Sequence, residues 1–205
     1  MRRLLLILLP LIFSIITTAT VYAQKITVAV SNPDMSFLSG GVAKYKGFFK
    51  EEGLDAELVQ ITANVSVAAL ANGNIDYNLI LQSVVTGNVR GLPLKVVGIL
   101  IERPNHVIVA NPKINRFADL KGKKIAVSSF GSLTDILARL TTEHFKLTPN
   151  RDVQYVAAGS GSGRIAQLES GLVDAAVVTP PSDIVAESRG FKTLAAISVG
   201  LSPRR

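Results

Sequence analysis

The octapeptide Ala69-Leu70-Ala71-Asn72-Gly73-Asn74-Ile75-Asp76 returns later in the chain as Gln167-Leu168-Glu169-Ser170-Gly171-Leu172-Val173-Asp174, and Phe49-Lys50 returns as Phe145-Lys146. The offset is 96 to 98 residues, far longer than the unit of a solenoid. Around both copies, β-rich apolar runs alternate with runs of helical period. In the first half the strand-like runs are 25–31, 55–61, 75–81 and 94–101, separated by helical runs at 42–52, 65–73 and 84–91. In the second half they are 124–127, 152–156, 173–178 and 192–197, separated by 133–146, 164–171 and 182–190. Val42, Tyr45 and Phe49 share one helical face, and Gly53 supplies the left-handed stop after it. Strands joined by helix-length connections pair in parallel and need cover on both faces. Two α/β lobes of one design follow.

Between the halves lie two β-rich runs broken by Arg103-Pro104-Asn105, where Pro104 holds Arg103 extended and donates to no ladder. This places a hinge crossing at 102–112, a first lobe at 24–101 and a second at 113–205. Lobes joined by extended crossings close on a ligand like a jaw. In open α/β sheets ligands sit beyond the carboxyl ends of the strands, which nominates four loops: Asn32 to Phe37, Gln82-Ser83, Ser129 to Ser132, and Thr179-Pro180-Pro181.

The start of the chain addresses it. Met1-Arg2-Arg3, an apolar run and Val21-Tyr22-Ala23 compose a secretory signal peptide over 1–23, with cleavage expected after Ala23. Pro10 and the small-x-small ending weigh against an uncleaved anchor, and no Cys follows the apolar run to carry a lipid. Of 22 Lys and Arg, Arg2 and Arg3 leave with the signal, so 20 basic side chains face 15 acidic ones. They are spread along the chain without an aromatic-interleaved basic stripe, so a nucleic-acid partner is not expected. With no cysteine, disulfides, thiolate metal sites and cysteine nucleophiles are excluded.

The segments "AKYKGFFKEEGLDAEL", "ALANGNIDY", "DLKGKKIAVSSFGS" and "LESGLVDAAVVTPPSDIVAESRGFKTLA" together resemble the substrate-binding proteins of ABC importers for nitrate, sulfonates, taurine and the thiamine pyrimidine precursor. The likeness runs from about Lys25 to Ser198. It implies a two-lobed type II periplasmic-binding-protein fold that delivers a small-molecule ligand to an ABC permease in the inner membrane. Chains of this family continue past the equivalent of "SVGLSP", so the second lobe and the return crossing are expected to be incomplete in a truncated product.

The turn before the 133–146 helix has two readings. Ser132-Leu133-Thr134-Asp135 matches a capping box, which makes Ser132 and Asp135 structural. The same helix start, with Gly131 before it, offers backbone N–H groups to an anion or a carbonyl. The resemblance puts this loop in the cleft, so Ser129, Phe130, Gly131 and Ser132 are candidate ligand contacts. Asn32, Ser36 and Phe37 follow the first strand, with a polar loop and a core phenylalanine as the alternative. Gln82 and Ser83 follow the third strand, where Gln82 would narrow the pocket. Thr179 and Pro180 are their counterparts in the second lobe, although prolines also suit a first helical turn.

"GSGSGR" at 159–164 lacks the spacing of a phosphate loop, and its glycines lead into the helix from Arg164. No His cluster of metal-ligand spacing and no G-x-S-x-G elbow is present. No catalytic residue, metal or cofactor is therefore expected. The expectation is an extracytoplasmic solute-binding component of an ABC importer, closing on a small polar or anionic ligand such as a sulfonate, nitrate or a pyrimidine-like molecule. The alternatives are a ligand-sensing module for a membrane partner and a non-functional truncated remnant.

Overall fold

The computed structural model describes residues 23–32 and 34–197. The expected signal peptide, apart from Ala23, and the last eight residues fall outside them. Among the described residues no helix is long and apolar enough to cross a membrane.

The first lobe runs β1 (Gln24–Val30), a 3-10 turn at Met35–Phe37, α1 (Leu38–Tyr45), α2 (Phe48–Glu51), β2 (Leu54–Gln60), α3 (Ala63–Ala71), β3 (Tyr77–Asn78) and α4 (Leu81–Val89). Its three strands are parallel in the order β2-β1-β3. The second comprises β4 (Val107–Ala110), a 3-10 turn at Phe117–Leu120, β5 (Lys123–Val127), α5 (Leu133–His144), β6 (Val153–Ala157), α6 (Gly161–Glu169), β7 (Ala175–Val178), α7 (Ser182–Ser188) and β8 (Lys192–Ala196). Its sheet has the order β6-β5-β7-β4-β8, with β5 parallel to β6 and β7 and β4 antiparallel to β7 and β8.

The period of two along the strands builds the second core. Ile108, Ala110, Ile125, Val127, Ala175 and Val177 point to one face, under Leu137 and Ala138 of α5. Val107, Val109, Ala126, Ala176 and Val178 point to the other, under Ile165 and Leu168 of α6 and Ala186 of α7. Among the described residues the first lobe's core cluster is smaller, with Ile26, Val28 and Ala56 buried and Phe49, Leu54, Leu58 and Leu79 packed on it.

The duplication reaches atomic detail. Asp76 Oδ2 accepts the Thr27 N–H at 2.7 Å, and Asp174 Oδ2 accepts the Lys124 N–H at 3.0 Å. Each aspartate thus fastens one strand, β1 or β5, to the turn that enters its parallel neighbour, β3 or β7. Gly73 and Gly171, at φ of 71° and 73°, end the preceding helices in the left-handed conformation that glycine adopts without strain. Phe49 and Phe145 each pack on their own lobe's core.

Three expected elements differ. The helix over 42–52 is two helices, because Gly47 turns the backbone to φ 88°. Tyr45 is therefore exposed, while Phe49 on the second piece reaches the core. The strand at 75–81 pairs only over Tyr77–Asn78 before α4 begins. The stretch 94–101 forms no strand, and Val97, Ile99 and Leu100 are exposed. The reason lies in the other lobe. At the offset of 98 this stretch is the counterpart of β8, which pairs only with the antiparallel β4. Among the described residues the first sheet has no such antiparallel strand, so 94–101 has no ladder to join. Residues 107–110, expected within the crossing, are that antiparallel strand of the second sheet.

Removing the Asp174 carboxylate leaves the Lys124 N–H without its charged acceptor. Asp174→Ala is expected to lower stability by about 1 kcal/mol, because the side chain is partly solvated. Urea unfolding checks this, with an unchanged midpoint counting against an anchoring role.

Candidate functional site

The lobes face each other across a cleft of about 1080 Å³. Of the residues nominated from sequence, Asn32, Ser36, Phe37, Gln82, Ser129, Ser132 and Thr179 lie on its wall. Phe130, Gly131, Ser83 and Pro180 do not. Phe130 is half exposed outside it. Ser83 is buried in the first turn of α4, donating to the Ile80 carbonyl at 2.8 Å and accepting from Asn78 Nδ2 at 3.2 Å. The Pro180 carbonyl accepts the Met35 N–H at 3.3 Å, a contact between lobes.

The Ser129–Ser132 turn is largely self-satisfied. Ser132 Oγ accepts the Asp135 N–H at 3.4 Å and donates to the Ser129 carbonyl at 2.6 Å. Asp135 Oδ2 accepts the Gly131 N–H at 2.8 Å, and its Oδ1 pairs with Arg139 Nε at 2.9 Å. The Gly131 amide is thus unavailable to a ligand, and a carboxylate already sits where an anion would approach α5. The remaining Gly131 group, its carbonyl, accepts from Gln82 Nε2 at 2.6 Å and ties the lobes across the cleft. Gln82 Oε1 is buried without a hydrogen-bond partner among the described residues.

Arg164, passed over in the sequence as the end of a glycine run, is the most unusual residue on the wall. It lies in the first turns of α6, is 1% exposed, and joins no ion pair among the described residues. Its Nη1 donates to the Gly159 carbonyl, while its Nε–H has no partner. Burial pushes its pKa down to about 10 and the Asp34 carboxylate pulls it back up, so the guanidinium remains charged at neutral pH. Its sequence signal was available. Ile165 and Leu168 mark the buried stripe of α6, and Arg164 stands on the same stripe.

His106, immediately before β4, is also buried on the wall, with Nδ1 unpartnered among the described residues. Burial, and then the charge of Arg164, lower its pKa to about 4, so the imidazole is neutral in the cleft. Asp34 completes the group from the loop after β1, its Oδ1 accepting the Ser36 N–H at 2.8 Å. An unpaired buried guanidinium in a two-sided cleft is an anchor for an oxyanion, through charge-assisted hydrogen bonds.

A family model described as NMT1/THI5 like matches residues 35–193. The chain belongs to this family. A Haemophilus influenzae protein named for thiamine biosynthesis is 32% identical over 143 residues, which cover 65% of this chain and 43% of the relative. The 4-amino-5-hydroxymethyl-2-methylpyrimidine phosphate synthase of Candida albicans is 29% identical over 143 residues, covering 66% and 40%. Among solved structures, the periplasmic aliphatic sulphonate binding protein SsuA of Escherichia coli aligns with a TM-score of 0.61 at 20% identity, over 84% of this chain and 57% of that one. The fold is that of the type II periplasmic binding proteins. The chain spans less than half the length of these curated relatives.

A pH dependence follows from His106. An unperturbed imidazole titrates near 6.5 and the folded one near 4, so between these values the unfolded chain binds more protons. Stability is full above about 6.5 and is lost as pH falls toward 4, by roughly 3 kcal/mol from this group. Asp119, held low by the Arg116 side chain, and Asp152, held low by the Thr148 amide, lose their contribution only at still lower pH. Thermal melting from pH 7 to 4 is expected to show a slope that His106→Gln flattens; an equal slope in the variant assigns it to other groups.

Proposed function

We propose that this chain is the extracytoplasmic solute-binding component of an ABC importer. Its two lobes close on a small polar or anionic ligand and present it to a permease in the inner membrane, with no catalysis of its own. The observation that carries this reading is Arg164, a buried cation with no ion-pair partner among the described residues, on the wall of a cleft shared by both lobes. Membership in the family and the likeness to a sulphonate-binding protein support it. Closure reports ligand only if the ligand binds the closed form better, which requires contacts from both lobes at once.

The synthase among the relatives raises an enzymatic reading, and the chemistry of the cleft favours binding over it. The chain contains no cysteine, and its one cleft histidine, with a pKa of about 4, is a weak base at neutral pH. Among the described residues no cluster of His, Asp or Glu is arranged to hold a metal.

The test is calorimetric titration with a panel of sulfonates, nitrate and substituted pyrimidines, with Arg164→Gln and Arg164→Lys as variants. A bound anion is expected to lose about ten- to a hundredfold in affinity in Arg164→Gln, as removal of a charged hydrogen-bond donor implies. Arg164→Lys retains the charge and recovers part of the loss. Equal affinity in all three proteins would remove Arg164 from the site.

A further inference from the structure

The charges on the cleft wall are Asp34, Asp76, Lys95, Glu102, Arg103 and Arg164. Asp76, Lys95, Glu102 and Arg103 are exposed, and Asp76 is engaged by the Thr27 amide. That leaves Asp34, partly buried, and Arg164, fully buried, one from each lobe. They feel each other, since the carboxylate raises the affinity of the guanidinium for its proton, yet they form no ion pair among the described residues. Asp34 Oδ1 is taken by the Ser36 N–H, and Oδ2 accepts no hydrogen bond among the described residues. Arg164 Nε–H is likewise unpartnered. Two opposite charges thus face one cavity from opposite lobes, each with one hydrogen-bonding group unused.

We infer that the ligand is dipolar, with an oxyanion seated on Arg164 in the second lobe and an ammonium or other N–H donor group on Asp34 in the first. This rests on the solute-receptor reading above. A simple anion satisfies Arg164 but meets repulsion from Asp34, and a simple cation meets the reverse. Only a molecule carrying both groups uses both contacts, and in doing so it spans the lobes. Recognition and closure are then the same event.

The probes are matched pairs differing by one amino group: ethanesulfonate with 2-aminoethanesulfonate, acetate with glycine, propionate with β-alanine, and butyrate with 4-aminobutyrate. Calorimetry on the wild-type chain is expected to show the aminated member binding at least tenfold tighter in one or more pairs. Asp34→Asn, an isosteric change in the loop after β1, should abolish that preference and leave the oxyanion contact. Arg164→Gln should weaken both members. Equal or tighter binding of the amine-free members, or a preference that survives Asp34→Asn, overturns the inference while the receptor reading stands. Tight binding of a solute without a cationic or donor group, at a site lost in Arg164→Gln, does the same. If no pair and no member of the wider panel binds, both readings fall.

Discussion

The antiparallel strand β4 is the constraint on which the rest of the second lobe depends. Its four residues are buried and pair with β7 on one side and β8 on the other. Without β4, β8 would have no ladder, and the sheet that α5, α6 and α7 cover would end at β7. The first lobe shows the consequence by contrast. Its counterpart of β8 meets no antiparallel neighbour among the described residues and leaves Val97, Ile99 and Leu100 in solvent. β4 also begins immediately after Asn105 and His106, which fixes both at the cleft. Asn105 takes part in a long contact with Ser36 Oγ at 3.5 Å, and His106 offers its carbonyl to Ile197. The crossing is therefore anchored in one sheet at β4, while the stretch 94–101 before it joins no strand among the described residues.

The lobes were legible in the sequence because their signals are local. Helix stops at Gly73 and Gly171, and the aspartates three residues beyond, follow from short-range backbone chemistry that two copies repeat. The elements misread were those decided by partners. A run such as 94–101 has every β preference, but a strand exists only where another backbone accepts its hydrogen bonds. The split at Gly47 was hidden because the apolar spacing of Val42, Tyr45 and Phe49 continues across it. Of the site, the loops beyond the strand ends were readable from topology alone, and seven of the eleven nominated residues lie on the wall. Arg164 and His106 were missed there, and Asp34 was covered only as part of the nominated loop Asn32 to Phe37; all three derive their character from burial and from one another. No short motif records either property.

The two helix starts that face the cleft in the second lobe have opposite electrostatics, and the difference lies in one residue of the first turns. At α5 the positive end of the helix meets the Asp135 carboxylate, itself paired with Arg139, so the local charge is closed. At α6 there is no acid in the first turn. Ser160 Oγ caps the Gly163 N–H at 3.1 Å, and Arg164 then adds a full positive charge near the positive end of the same helix. A cation in that position is unfavourable, and burial makes it more so, as the lowered affinity of the guanidinium for its proton records. Among the described residues the fold offsets the arrangement with a hydrogen bond to the Gly159 carbonyl and the field of Asp34. An oxyanion at this point would relieve the mismatch between helix and side chain together. The start of α6, not the more conspicuous Ser-Ser-Phe-Gly-Ser turn before α5, is accordingly where the cleft has an electrostatic need that a ligand can meet.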